Sequence, residues 1–160
     1  MSAPTGFSRL QIGLHWIVAV LIIGAWFTHD GMGRALRQRI AEGMTGMEGA
    51  TPHTILGGLA FAFVLVRIIV RLRRGAPEPH GSALVQSAAK WGHVVLYALM
   101  ALVPALGAAT WYGGIESLGE VHEFLGQALM LVIIGHVVMA LWHQIVKKDG
   151  TLTRMVKPSE

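Results

Sequence analysis

The sequence predicts an all-α membrane protein: a transmembrane four-helix bundle with both termini on the cytoplasmic side. Three observations carry that expectation. Hydrophobic residues make up 53% of the 160-residue chain and charged residues only 14%, where a soluble domain carries about 25% charge. The apolar residues gather into four runs, each near the ~20 residues a helix needs to cross a bilayer. Lysines and arginines collect at one set of run ends, as topogenic charge does. A single membrane domain over residues 1–160 follows from the length. The chain has no cysteine, so disulfides, thiolate sites and iron–sulfur clusters are excluded.

The first run spans Arg9 to Phe27. It is too long for the core of a signal peptide and no small-residue cleavage site follows it, so it reads as a retained span. A Gly/Met-rich segment, Asp30 to Thr51, reads as a loop. The second run covers His53 to Leu72, and a Pro-bearing loop from Arg73 to Ser87 follows. The third covers Ala89 to Tyr112 and contains Pro104, which in a membrane bundle predicts a kink rather than a break. A short acidic turn, Gly113 to Gly119, leads to the fourth run, Leu118 to Val146. Gly57, Gly58 and Gly126 let helices approach closely or leave room for a flat macrocycle; close packing is the expectation.

Arg9, Arg67, Arg71, Arg73, Arg74, Lys90, Lys147, Lys148, Arg154 and Lys157 fall on one side, which the positive-inside rule makes cytoplasmic. Only Arg34, Arg37 and Arg39 fall on the other, among acidic residues, and they read as a solvated loop face that also offers positive charge to an anionic donor. Trp26, Trp111 and Tyr112 suit an outer aromatic belt, and Trp91 and Trp142 an inner one. The basic residues are not interleaved with aromatics on a polar face, so nucleic acid is not an expected partner; the lipid bilayer is.

An imidazole within a hydrocarbon layer is costly and marks function by default. His122 and His136 are fourteen residues apart, which on a helix places them within about 40° of one face and about 21 Å apart in depth. His53 opens the second run from outside, and His15 lies in the first run near the inside. Matching depth pairs His53 with His122 and His15 with His136. Neutral imidazole ligates iron well, and two imidazoles fill both axial positions of a haem. The expectation is two haems at different depths, with His15, His53, His122 and His136 as iron ligands and electron transfer as the function. His93 and His143 are rivals for the inner level. His93, Arg67 and Arg71 form an inner polar cluster suited to a haem propionate or a quinone. His29 and His80 read as loop or interface residues.

With these residues in place, the chain resembles the bacterial cytochrome b561 family of four-helix, dihaem membrane proteins. "SRLQIGLHW", "PHTILGGLAFAFVLVRIIVRL", "GHVVLYALMALVPALG", "VHEFLGQALMLVIIGHVVMALWH" and "KDGTLTRM" occur in the family's order at suitable spacing. The resemblance implies two haem b, the bacterial inner membrane, and electron exchange with ubiquinone. It implies one of two roles. Some members resemble superoxide oxidases, passing an electron from superoxide at the outer face to quinone. Others are similar to cytochrome b subunits that serve a periplasmic donor, a dehydrogenase or another redox partner. The chain departs from longer members in its short loop between the third and fourth runs, which shapes the outer face.

Overall fold

The computed structural model describes residues 6–79 and 81–159. Its order is α1 (Arg9–Phe27), α2 (Met32–Ala41), α3 (Pro52–Arg74), α4 (Ala83–Gly113) and α5 (Ser117–Trp142), then a π-turn at His143–Lys147 and a 3-10 turn at Thr153–Met155. The expected all-helical class with four apolar helices long enough to span a membrane is present: α1, α3, α4, and α5 with its π-turn.

Local chemistry sets the helix starts. Ser8 caps α1, its hydroxyl accepting from the Gln11 amide while the Gln11 side chain accepts from the Ser8 amide. Thr51 and Thr54 make the same reciprocal cap on α3, and Pro52 occupies the first turn, where no intrahelical donor is lost. Pro104 sits inside α4 without ending it.

Backbone packing runs α1 on α3, α3 on α4 and α4 on α5. Val18, Val64, Leu96, Met100, Val103 and Leu129 form the buried core. Large apolar side chains such as Phe27, Val20, Leu131 and Phe124 point outward, as a bundle solvated by lipid tails requires.

Two ends result. At the terminal end the Ser159 amide donates to the Phe7 carbonyl, so the two ends of the described chain lie together. The Gln11 side chain donates to Gly75, which brings in the α3–α4 connection. At the other end, the cap end, α2 and the loop after it rest on the last turn of α4.

Four expectations need correction. The segment Asp30 to Thr51 is not all loop: Gly31 turns the chain with φ 80° and α2 follows. Helix α4 starts at Ala83 rather than Ala89, because Ser82 adopts an extended N-cap conformation just past the prolines. Trp111 is not an aromatic-belt residue; only 5% of it is exposed. Arg39 is not on a solvated face, being 4% exposed beneath α2. His80 lies outside the described residues.

The glycines also differ from the packing expectation. A Cβ at Gly57 or Gly58 would meet no atom within 4 Å, and one at Gly126 only Val103 at 4.0 Å. Between helices, the close approaches are at Gly24, against Leu56 at 3.2 Å, and at Gly107, against His122.

Candidate cofactor-binding site

Near the cap end, His53 in the first turn of α3 and His122 in the second turn of α5 face each other, ring centroids 5.9 Å apart at 80°. Each ring is fixed through its Nδ1. His53 reaches the Ala25 carbonyl of α1 at 2.8 Å, and His122 the Val103 carbonyl of α4 at 2.8 Å. A carbonyl can only accept, so both Nδ1 atoms carry the proton. In the neutral ring each Nε2 then keeps its lone pair, the state a metal ligand needs. The site thus draws on all four long helices: two supply rings and two supply the carbonyls that aim them.

Gly107 makes this possible. A Cβ there would lie 2.9 Å from His122 Cε1 and 3.1 Å from Nδ1, closer than real side chains pack. Gly107→Ala is expected to swing the His122 ring off the Val103 carbonyl. The chemical shift of the His122 Nδ1–H, read by NMR, would report this, with Gly57→Ala, where space is open, as the comparison.

Deeper in the bundle, His15 of α1 and His136 of α5 have ring centroids 6.4 Å apart at 60°. His93 of α4 lies 5.4 Å from His136 at 79°, with its Nδ1 2.7 Å from the Ala89 carbonyl. Three imidazoles therefore meet at this level. His15 Nδ1 is buried and has no hydrogen-bond partner. His143 is elsewhere: its Nδ1 sits 2.5 Å from Asp149 Oδ2 in the C-terminal turn. Burial alone would raise the Asp149 carboxyl, but hydrogen bonds from the Thr151 hydroxyl, His143 and the Thr151 amide hold it down to about 2.

Beside the deeper histidines, Arg67 Nε donates to the Tyr97 hydroxyl at 3.0 Å. The guanidinium carbons of Arg67 and Arg71 lie 5.5 and 5.4 Å from the Tyr97 ring centroid. These three line a pocket with Gln11, Leu14 and Met155. His29 is an exposed interface residue bonded to the Trp26 carbonyl at 2.5 Å.

The spacings can be compared with a metal's needs. A metal–imidazole bond of about 2 Å puts the ring centroid about 3 Å from the metal, so two trans imidazoles have centroids about 6 Å apart. The gaps of 5.9 and 6.4 Å fit that spacing. Among the described residues no three His, Asp or Glu side chains converge as a free ion would require. Pairs suit a metal whose remaining positions come with a macrocycle, and the open space beside Gly57, one turn below His53, suits the same group. The spacing rule found the four rings. It could not find the carbonyls of Ala25 and Val103, and Gly107 carried only the weak signal of a glycine inside a helix.

The sequence profile of prokaryotic cytochrome b561 matches residues 6–158. Cytochrome b562 of Cereibacter sphaeroides is 36% identical over 99% of both chains. A probable superoxide oxidase CybB of Yersinia pestis is 31% identical over 94% of this chain and 95% of its own. Cytochrome b561 homolog 1 of Escherichia coli is 28% identical over 94% of this chain and 96% of its own.

Proposed function

The chain belongs to the prokaryotic cytochrome b561 family of membrane electron-transfer proteins, and on that premise we propose that it holds two haem b and carries electrons between a donor at the outer face and membrane ubiquinone. The observation behind this reading is the pair of imidazole pairs, at two depths, each with the centroid gap of two trans ligands. When bound, a bis-imidazole haem supplies one-electron exchange with no open iron position for oxygen.

The protein's own groups do the rest. His53 and His122 would hold the outer group, and the carbonyls of Ala25 and Val103, bonded to Nδ1, leave their Nε2 atoms for it. His15 and His136 would hold the inner group, with His93 packed edge-on against His136. Arg67 and Arg71 offer guanidinium forks to a propionate or to a quinone carbonyl, and Tyr97 fixes the first of them. The charge distribution supports a terminal end on the cytoplasmic side of a bacterial inner membrane.

Arg34 and Arg37 are exposed on α2 at the cap end, where they favour the approach of an anion such as superoxide. That supports a superoxide:quinone oxidoreductase, and the Yersinia pestis relative is named a probable superoxide oxidase. The second reading is a cytochrome b subunit serving a separate dehydrogenase or other redox partner. The exposed Glu116, Glu120 and Glu123 at the same end support it, since they suit a charged protein partner better than a small anion.

Purified protein is expected to show low-spin b-type bands and about two haems per chain. A colourless protein, or one haem per chain, would reject the two-level reading. Superoxide supplied with ubiquinone should then reduce the protein faster than dismutation removes the superoxide. Absence of that reduction in a fully loaded protein would leave the subunit reading.

A further inference from the structure

The pocket at the terminal end has a polar floor, Arg67, Arg71, Tyr97 and Gln11, and a wall made by Met155 of the C-terminal tail. The tail crosses to reach it, pinned near its far end by the Ser159 amide on the Phe7 carbonyl and near its root by the Leu152 amide on the Gln144 side chain, and is fastened between them by a few bonds. Trp16 Nε1 of α1 donates to the Met155 carbonyl at 3.0 Å. Arg154 donates from both terminal nitrogens to the Glu78 carbonyl of the α3–α4 connection, at 3.1 and 3.3 Å. These bonds are exposed, so water competes for them and each contributes little. At its root the tail turns on Lys148 with φ 53° and Gly150 with φ 74°. Asp149 fixes that turn through Thr151 and His143. The result is a firm root, a short strap and a weak catch.

We propose that residues 151–156 are a latch over the Arg67–Tyr97–Arg71 pocket, opening at the Trp16–Met155 and Arg154–Glu78 contacts to admit an amphipathic molecule with a hydrogen-bond-accepting head, of which a benzoquinone is the class. This rests on the reading of that pocket as a quinone-contact site. The latch explains why the segment after the last span folds back against α1 and the α3–α4 connection. An opening of this kind belongs to the low-stability end of the molecule's motions, because few buried apolar contacts oppose it.

The test uses the full-length holoprotein in detergent. Phenylglyoxal labels accessible arginines, and peptide mass spectrometry reads the rate at each one. Trp16→Phe removes the donor but keeps the ring against His15, and Arg154→Gln removes the fork; both are made singly and together. Labelling of Arg67 and Arg71 is expected to rise about threefold or more in each variant, and further in the double variant. Exposed Arg34 and buried Arg39, both at the far end, should be unchanged. Unchanged labelling of Arg67 and Arg71 in the double variant overturns the latch. A matching rise at Arg39 also overturns it, since that reports general loosening. In parallel, a short-chain benzoquinone is mixed with reduced protein, and its second-order rate should rise with the labelling. If the parent protein is not oxidised by the quinone at all, the quinone reading of the pocket fails while the labelling still decides the latch.

Discussion

Replacing His122 by alanine is expected to lower the haem content of the purified chain from about two to about one, with loss of one set of low-spin bands. His53→Ala should remove the same set. Both rings are aimed by carbonyls of other helices and lie 5.9 Å apart, so either loss leaves the other ring without the partner that completes axial ligation. Among the described residues no third imidazole stands ready at this level, because the exposed His29 is bonded through Nδ1 to the Trp26 carbonyl. The deeper level behaves differently. His136 has two neighbours, His15 at 6.4 Å and His93 at 5.4 Å. The centroid gap of about 6 Å required of trans ligands does not by itself separate them. The unpartnered Nδ1 of His15 and the engaged Nδ1 of His93 do not either, since both leave Nε2 free. Single alanine variants separate them directly. His136→Ala and His15→Ala should each cost the second haem, and His93→Ala should keep both while shifting the bands through lost packing. Loss of a haem in His93→Ala with both kept in His15→Ala would move the inner ligand from α1 to α4. Retention of both haems in His122→Ala would end the two-level reading.

What could be read in the chain was whatever depends on one helix at a time. Long apolar runs marked the four spans, and the fourteen-residue step from His122 to His136 marked two depths on one face. Helix α2 was hidden because ten residues carrying Arg34, Arg37 and Arg39 show no apolar run. Its burial is decided by the last turn of α4, which is remote in sequence. The start of α4 lies six residues before Ala89, in a stretch where Gln86 and Ser87 interrupt the apolar pattern just beyond the proline-bearing loop. Arg39 shows the limit most plainly. Counting charge at a run end treats every arginine alike, and nothing local distinguishes a solvated guanidinium from one enclosed by carbonyls. The same holds for the site: residue type and period found the rings, whereas their orientation rests on Ala25, Val103 and Gly107, which have no chemical signature of their own. The glycines near His53 were assigned to packing because helix contact is the commoner use of such residues in membranes. Only the absence of any atom within 4 Å of a Cβ at Gly57 separates that use from space left beside a ligand.

Arg39→Ala should be the most destabilising change at the cap end, by about 3 kcal/mol or more, because three carbonyls lose their donor where water enters poorly. Arg39 Nε donates to the Trp111 carbonyl at 3.0 Å, Nη2 to Gly46 at 3.1 Å, and Nη1 to Glu48. Its guanidinium carbon also lies 4.9 Å from the Trp111 ring centroid and 5.9 Å from that of Tyr112, a cation–π arrangement. Trp111 belongs to the last turn of α4, so the cation also meets the negative end of that helix dipole. One side chain thereby ties α2, the loop at 46–48 and the end of α4 into a cap over the end of the bundle where His53 and His122 lie. Arg39→Lys distinguishes the fork from the charge. An ammonium keeps the charge, but it is a point donor without a planar fork to span three carbonyls and stack on the indole. The lysine variant should therefore recover less than half of the lost stability. Thermal unfolding in detergent, followed by circular dichroism, gives the total. Hydrogen exchange at residues 44–50 shows whether the loss is confined to the cap. Parent-like melting of Arg39→Ala would mean that water already satisfies those carbonyls. Full rescue by lysine would mean that charge against the α4 terminus, and not the three-way fork, holds the cap in place.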